Sequence, residues 1–299
     1  MAYKGRRVKK KPLGKNPLFW VGMVAVAVAL ALVILIAGLF RSDIFTVRTP
    51  NPTEAPTSME KPETLLPTAE TTVPPEENPY GPVDFLLDEE SQEITLLSGE
   101  GIKGIDVSGW QGNIDWQQVK DSGVEFVIIR VGGRGTSEGN IYPDEMCQTY
   151  YAGAKEAGLK VGAYFFSQSV TVEEAVEEAE YVLDAIKDWD VDMPVVYDWE
   201  YIGDGARTDH MVAGLLTEMA KAYCDTVKNA GYDPMIYFGR SQSTDLLNLS
   251  ELVDYGFWLA MYNPIMDYPY KIDIWQYTET GSVPGISGNV DLNLWFQYD

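Results

Sequence analysis

From Lys103 to the end of the chain, short β-rich runs alternate with amphipathic helical stretches, and no other feature restricts the fold as much. The runs are 103–108 (KGIDVS), 126–132 (FVIIRVG), 160–167 (KVGAYFFS), 193–200 (MPVVYDWE), 233–239 (DPMIYFG), 257–262 (FWLAMY), 272–277 (IDIWQY) and 289–295 (NVDLNLW). Helical stretches fall around 114–122, 144–157, 172–188 and 209–229. The second ends on Gly158, a residue suited to a left-handed C-terminal cap. The fourth puts Val212, Leu215, Leu216, Met219, Tyr223 and Val227 on one face. Eight strands with helices after the first four or five imply a closed, parallel-type barrel whose later helices are shortened or lost. The expected class is α/β, an eight-stranded TIM-like (β/α)5(β)3 barrel over residues 101–299.

In such a barrel, reactive groups sit at the carboxyl ends of the strands. Asp106 closes the first run, Asp198 and Glu200 the fourth, and Asp291 lies in the eighth. Tyr164, Phe166, Tyr237, Tyr262, Trp275 and Gln276 come from the ends of the runs between them. Carboxyls for proton transfer and flat rings for stacking are what sugar chemistry requires. Each residue also has a plainer reading. Asp106 beside Ser108 could cap a helix, Asp291 could satisfy backbone groups at the barrel closure, and any one aromatic could be packing. Asp115-Trp116 reads as a helix cap with a packing residue. Arg130 and Arg134 flank a VGGRG stretch that lacks the Lys-Ser/Thr ending of a phosphate loop, and His210 reads as solvent-facing.

The first hundred residues are of another kind. Residues 18–40 carry no charge over 23 positions. A helix of that length spans about 34 Å, enough to cross a hydrocarbon core of about 30 Å. Seven lysines and arginines and no acid precede it, so the basic tail 1–17 is expected in the cytoplasm and all that follows Arg41 outside. Arg41, Ser42 and Asp43 follow the stretch instead of a small-residue cleavage site, which favours a retained single-pass anchor in the cell membrane over a cleaved signal. Residues 41–82 then read as a Pro/Thr/Glu-rich linker, with its dense tract at 46–82, spanning about 35 Å as a flexible coil or roughly 115 Å as polyproline helix. Residues 83–100 suggest a small hairpin at the domain edge.

Charge narrows the partners. Eight of the 22 basic residues and none of the 45 acidic ones lie in 1–41, leaving 14 basic against 45 acidic residues beyond, a net of −31. Such a surface repels nucleic acid and anionic lipid headgroups. Cys147 and Cys224 fall on helices separated by a third, so free buried thiols are expected. With one histidine and no paired cysteine motif, no metal or cofactor is expected, and the chain is taken to act as a monomer.

Three stretches in order, KGIDVSGWQGNIDWQQVKDSGVEFVIIRVG, PVVYDWE and DIWQYTETGSVPGISGNVDLN, resemble glycoside hydrolase family 25, the muramidases of the Chalaropsis and phage-endolysin type. The resemblance covers roughly residues 101–299. It implies an eight-stranded barrel with fewer helices that cleaves the β-1,4 bond from N-acetylmuramic acid to N-acetylglucosamine in peptidoglycan glycan strands. It also implies an active site lined by Asp198, Glu200, Asp106 and Asp291. Asp198 and Glu200, two apart on a strand, share a face with Cβ atoms about 6.6 Å apart. Side-chain torsions exceed the gap between the roughly 5–5.5 Å of retaining and 6.5–9.5 Å of inverting glycosidases, so spacing leaves both outcomes open. Glutamate's longer reach favours Glu200 as proton donor. Asp198 is expected to stay ionised, orienting the substrate's acetamido group and stabilising an oxazolinium-like intermediate, with Asp106 and Asp291 holding the pair or the sugar in place. Two rivals are a non-catalytic peptidoglycan-binding scaffold, which predicts loss of a key carboxylate, and another N-acetylhexosaminidase of chitinase type, whose DGxDxDxE signature is absent.

Overall fold

The structure, a computed structural model, describes residues 73–88 and 91–298. The basic tail, the uncharged 18–40 stretch read as a transmembrane helix, and the linker up to residue 72 lie outside the described residues. Among the described residues, no helix is long and apolar enough to cross a membrane.

Eight strands close a barrel: β3 (Glu100–Val107), β4 (Phe126–Arg134), β6 (Lys160–Ser167), β7 (Val195–Trp199), β8 (Pro234–Gly239), β9 (Gly256–Ala260), β10 (Ile274–Gly281) and β11 (Val290–Gln297), with β3 pairing back onto β4. Three short strands lie outside it, β1 (Phe85–Leu87), β2 (Ile94–Leu96) and β5 (Ile141–Pro143). Helices α1 (Trp116–Asp121), α2 (Cys147–Glu156), α3 (Val172–Ile186), α4 (Leu215–Asn229) and the short α5 (Arg240–Asp245) pack outside the early strands. The expected parallel sheet needs one correction. The barrel strands from β3 to β10 run parallel, but β11 is antiparallel to both its neighbours, β10 and β3. With no helix between them, β10 and β11 can pair only by reversal.

Alternation along each strand sorts side chains between two cores. Ile102, Phe126, Ile128, Val196, Met235, Trp258 and Ile274 fill the barrel interior, and a larger cluster joins the outer face of the sheet to the helices. The interior is tight enough that a Cβ on Gly104 would overlap the Phe126 ring, so glycine is required there for close approach. Helix α4 buries Leu216, Met219, Tyr223 and Val227, but Val212 precedes the helix and is exposed. Asp115 caps α1 by accepting from the Gln118 N–H at 3.1 Å, while Trp116 packs edge-on against Tyr150. Cys147 and Cys224 are free and buried on α2 and α4.

Part of the stretch read as linker is attached to the barrel. Glu77 bridges Tyr270, Asn78 N–H donates to Pro269 at 2.9 Å, and Tyr80 stacks on Tyr298 with ring centroids 5.9 Å apart. Strands β1 and β2 then pair antiparallel, Phe85 opposite Leu96 and Leu87 opposite Ile94. Phe85 meets Trp275 edge-on at 5.2 Å, which lays this hairpin on the outside of β10.

Candidate active site

The interior changes character along the barrel axis. Val196 on β7 belongs to the apolar floor, Asp198 two residues on is polar, and Glu200 lies just past the strand end. The same step from floor to mouth occurs from Ile102 to Asp106 on β3 and from Ile274 to Gln276 on β10. The reversal of β11 brings its beginning to the mouth, where Asp291 pairs directly opposite Asp106. The result is a cavity of about 220 Å³ lined by Asp106, Asp198, Glu200, Glu279 and Asp291 with Tyr164, Tyr237, Trp258, Tyr262 and Gln276.

A chain of hydrogen bonds fixes Asp106. Tyr237 and Tyr262 hydroxyls donate to Gln276 Oε1 at 2.9 and 2.8 Å, which turns the Gln276 amide nitrogen onto Asp106 Oδ2 at 2.9 Å. Trp258 Nε1, which can only donate, gives its proton to Asn293 Oδ1 at 2.8 Å, so Asn293 Nδ2 is left to donate to the same Asp106 oxygen at 2.8 Å. These two amides favour the carboxylate. Burial outweighs them and, with repulsion from Glu200, lifts Asp106 to about 6. Asp291 is lifted further, to about 8, by burial first and then by Asp106, Glu279 and Glu200.

Asp198 and Glu200 line the same cavity, and burial is the first cause pushing each carboxyl upward. Asp198 is the deeper of the two, 4% exposed, with Oδ1 buried and unpartnered among the described residues, while Glu200 is half-buried. The charges of Glu200 and Asp106 raise Asp198 further. Burial and two neighbouring carboxyls thus work against the ionised Asp198 expected from the sequence.

Glu200 is held from behind. Gln168, fully buried, donates through Nε2 to the Glu200 carbonyl at 2.7 Å and to the Ser167 carbonyl at 2.9 Å, while the Thr208 hydroxyl donates to its Oε1 at 3.2 Å. Under the neighbouring loop, Glu178 is buried against Arg134 at 2.7 Å and the Ser167 hydroxyl at 2.6 Å, and burial lifts it to about 7. Arg134 also meets Glu177 at 2.7 Å, and Arg130 meets Asp144 at 2.9 Å. Both arginines of the VGGRG stretch are thus committed to structural ion pairs. Asp106 is not a helix cap, since Ser108 takes that role at 109–111. His210 is exposed.

Two expected aromatics stand apart. Trp275 faces outward, because its neighbours Ile274 and Gln276 face in. It is fully buried under Phe85, with Nε1 donating to the Met261 carbonyl at 2.9 Å, so no sugar can reach it. Phe166 shares the inward parity of Tyr164 and pairs beside Asp198 but does not line the cavity. Three residues that do belong to the site, Trp258, Asn293 and Glu279, went unread in the sequence. Asn293 was findable, two residues from Asp291 and hence on its face. Glu279 was not. The register shift between Gln276 and Thr278 sets Thr278 opposite the outward-facing Leu292 and turns the next residue, Glu279, into the mouth.

Among the described residues, no group of three or more His, Cys, Asp or Glu is arranged to hold a metal ion. What remains is an acid cluster with raised carboxyls, walled by rings and hydroxyls, which can protonate a leaving group and stabilise a cation beside it.

Known proteins agree with that chemistry. The chain is 30% identical over 235 residues to Lysozyme M1 of Streptomyces globisporus, covering 73% of this chain and 71% of the relative. It is 33% identical to the Autolytic lysozyme of Clostridium acetobutylicum, covering 64% of this chain but only 55% of that protein. Among solved structures, the modular autolysin LytC from Streptococcus pneumoniae, in complex with a synthetic peptidoglycan ligand, is similar with a TM-score of 0.59 and 25% identity, covering 71% of this chain and 52% of that one. The bacterial lysozyme from Streptomyces coelicolor is similar with a TM-score of 0.53 and 27% identity, covering 67% and 94%. The model of the glycosyl hydrolases family 25 matches residues 105–286, more than half of the chain, and the chain belongs to that family.

Proposed function

We propose that the protein is a peptidoglycan hydrolase that cuts the β-1,4 bond from N-acetylmuramic acid to N-acetylglucosamine. The observation that carries this reading is the placing of Asp198 and Glu200 together in the mouth of a family 25 barrel, both raised by burial, and in this reading the two share one proton. Asp198 and Glu200 stand two residues apart at the end of one strand, so both approach the sugar from the same side. That placement favours the substrate's own acetamido oxygen as the nucleophile.

In this scheme the sugar's amide N–H docks on Asp198, which then favours its ionised form and passes the shared proton to Glu200. Glu200 gives that proton to the glycosidic oxygen as the bond to C1 breaks. The acetamido oxygen bonds to C1, and Asp198 stabilises the positive charge on the resulting oxazolinium-like ring. Water, giving its proton to Glu200, opens the ring with overall retention. Asp106, fixed by Gln276 and Asn293, and Asp291 position the pair and the sugar. Tyr164, Tyr237 and Tyr262 offer ring faces and hydroxyls to the pyranose.

Digestion of purified peptidoglycan by the full-length protein should create new reducing ends of N-acetylmuramic acid. New N-acetylglucosamine ends, or none, would sink the assignment. Glu200→Gln should lower activity by about 10²–10⁴-fold and recover part of it on a substrate whose leaving group needs little protonation. Asp198→Asn should fall steeply on both substrates. Rescue of Asp198→Asn in place of Glu200→Gln would reverse the two roles.

The charge pattern of residues 1–41 supports a cell-membrane protein with a cytoplasmic N-terminus, a single span at 18–40 and the barrel outside. Protease added to wall-less cells should remove the barrel, and survival of the barrel until the membrane is opened would refute this orientation.

A further inference from the structure

A second cavity, of about 270 Å³, lies beside the catalytic one and shares Tyr262 and Glu279 with it. Its far wall is the β1–β2 hairpin, through Leu87, Gln92 and Ile94, and that hairpin lies before the segment matched by the family model. The register shift that turns Glu279 inward makes its floor. It leaves Thr278 and Thr280 on the outer side of β10, their hydroxyl oxygens 3.2 Å apart, below the hairpin. The hairpin is firmly seated. Phe85 packs on Trp275 and Phe296, and Lys103 pairs with Glu93.

We propose that this cavity is an additional sugar subsite, holding one neutral N-acetylglucosamine ring of the glycan strand next to the catalytic cavity. The proposal rests on the muramidase reading above. Its lining matches a pyranose: the half-exposed Tyr262 ring and Pro264 offer flat apolar faces, while Thr278 and Thr280 offer polar groups to ring hydroxyls. Charge selects among the groups a glycan strand carries. Glu279 forms the shared wall, and the chain beyond residue 41 carries a net charge of −31, so an acidic stem peptide is disfavoured and an uncharged sugar favoured.

The test uses the full-length protein and Thr280→Trp, which fills the cavity from a position outside the catalytic lining. Two substrates are compared: long glycan strands stripped of stem peptides, and a disaccharide aryl glycoside too short to reach past Tyr262. The ratio of kcat/KM on the long strands to that on the short glycoside should fall about tenfold in the variant, mainly through KM. Tri-N-acetylchitotriose should also inhibit the unaltered protein more strongly than it inhibits Thr280→Trp. An unchanged ratio overturns the subsite. If Thr280→Trp fails to fold, Thr280→Val decides, because losing only the hydroxyl should still lower the ratio. A drop seen only with strands that carry stem peptides overturns the sugar assignment in favour of the peptide. Failure of the unaltered protein to release N-acetylmuramic acid ends would instead refute the underlying muramidase reading, independently of any ratio.

Discussion

Replacing Asp291 by Asn should make the protein more stable at alkaline pH and leave it unchanged at acid pH. Asp291 is half-buried opposite Asp106, and its carboxyl is lifted from an ordinary 3.8 to about 8. Each unit of displacement corresponds to about 1.4 kcal/mol, so the full shift of about four units corresponds to roughly 6 kcal/mol. Water at the mouth and the simultaneous titration of Asp106 and Glu200 reduce this, and about 2–4 kcal/mol is a fair expectation. The sign follows from proton binding. Below pH 4 the carboxyl is protonated in both folded and unfolded chains and contributes nothing. Between pH 4 and 8 the unfolded chain releases the proton while the folded one keeps it, so stability falls as pH rises through the folded value. Asparagine has no proton to lose and escapes this. With about 2–4 °C per kcal/mol for a domain of this size, the melting temperature of Asp291→Asn should exceed that of the parent by about 4–16 °C at pH 8.5 and match it at pH 4. Thermal unfolding followed by tryptophan fluorescence across that range is the assay. A difference independent of pH, or a variant less stable at pH 8.5, would refute the account of Asp291 as a carboxyl held against its own ionisation.

Two further outcomes test the support behind the site. Gln168→Leu removes the donor on the Glu200 carbonyl, so kcat should fall about tenfold while KM barely moves, with Gln168→Glu recovering none of it; a rise in KM at unchanged kcat would count against a positioning role. Arg134→Leu strands Glu178, fully buried, without its cation and should destabilise the protein by about 3–5 kcal/mol, read by denaturant titration at pH 8, and a loss under 1 kcal/mol would contradict the pairing.

The eight strands were legible because each is a compact β-rich run, and the four acids because strand ends concentrate chemistry in such barrels. Direction and parity were less legible. Nothing in NVDLNLW says whether it runs with or against its neighbours; that follows from the missing helix, a property of the connection and not of the strand. Trp275 looked like a platform for sugar because WQY stands at a strand end, yet strict alternation with Gln276 already placed one of the two outside. Glu279 was hidden by the reverse circumstance. Alternation from Gln276 would send it outward, and only the bulge, which leaves no residue signature in YTETG, turns it in. The attachment of residues 76–80 to the barrel was hidden by composition. Pro-rich sequence with few apolar residues reads as tether, and its attachment depends on Tyr268–Lys271, almost two hundred positions away.

Why the site tolerates so much unfavourable charge follows from the same geometry. Five carboxyls line a cavity of about 220 Å³, and repulsion among them opposes folding whenever more than some of them ionise. Two devices limit this. The apolar floor of Ile102, Phe126, Val196 and Ile274 fixes the strands beneath, so the mouth cannot relax by spreading. The amides of Gln276 and Asn293 are both aimed at Asp106, the one member with two side-chain donors on a single oxygen, and it is displaced less than Asp291 as a result. Asp198 has no such donor, and its Oδ1 is buried without a partner. The strain is therefore concentrated where a substrate amide would arrive. A group that supplies one N–H to Asp198 satisfies the orphaned oxygen, draws the proton toward Glu200 and readies the acid in a single event. On the proposed mechanism, binding and activation are one step, and a sugar lacking the acetamido group should occupy the cavity without arming Glu200.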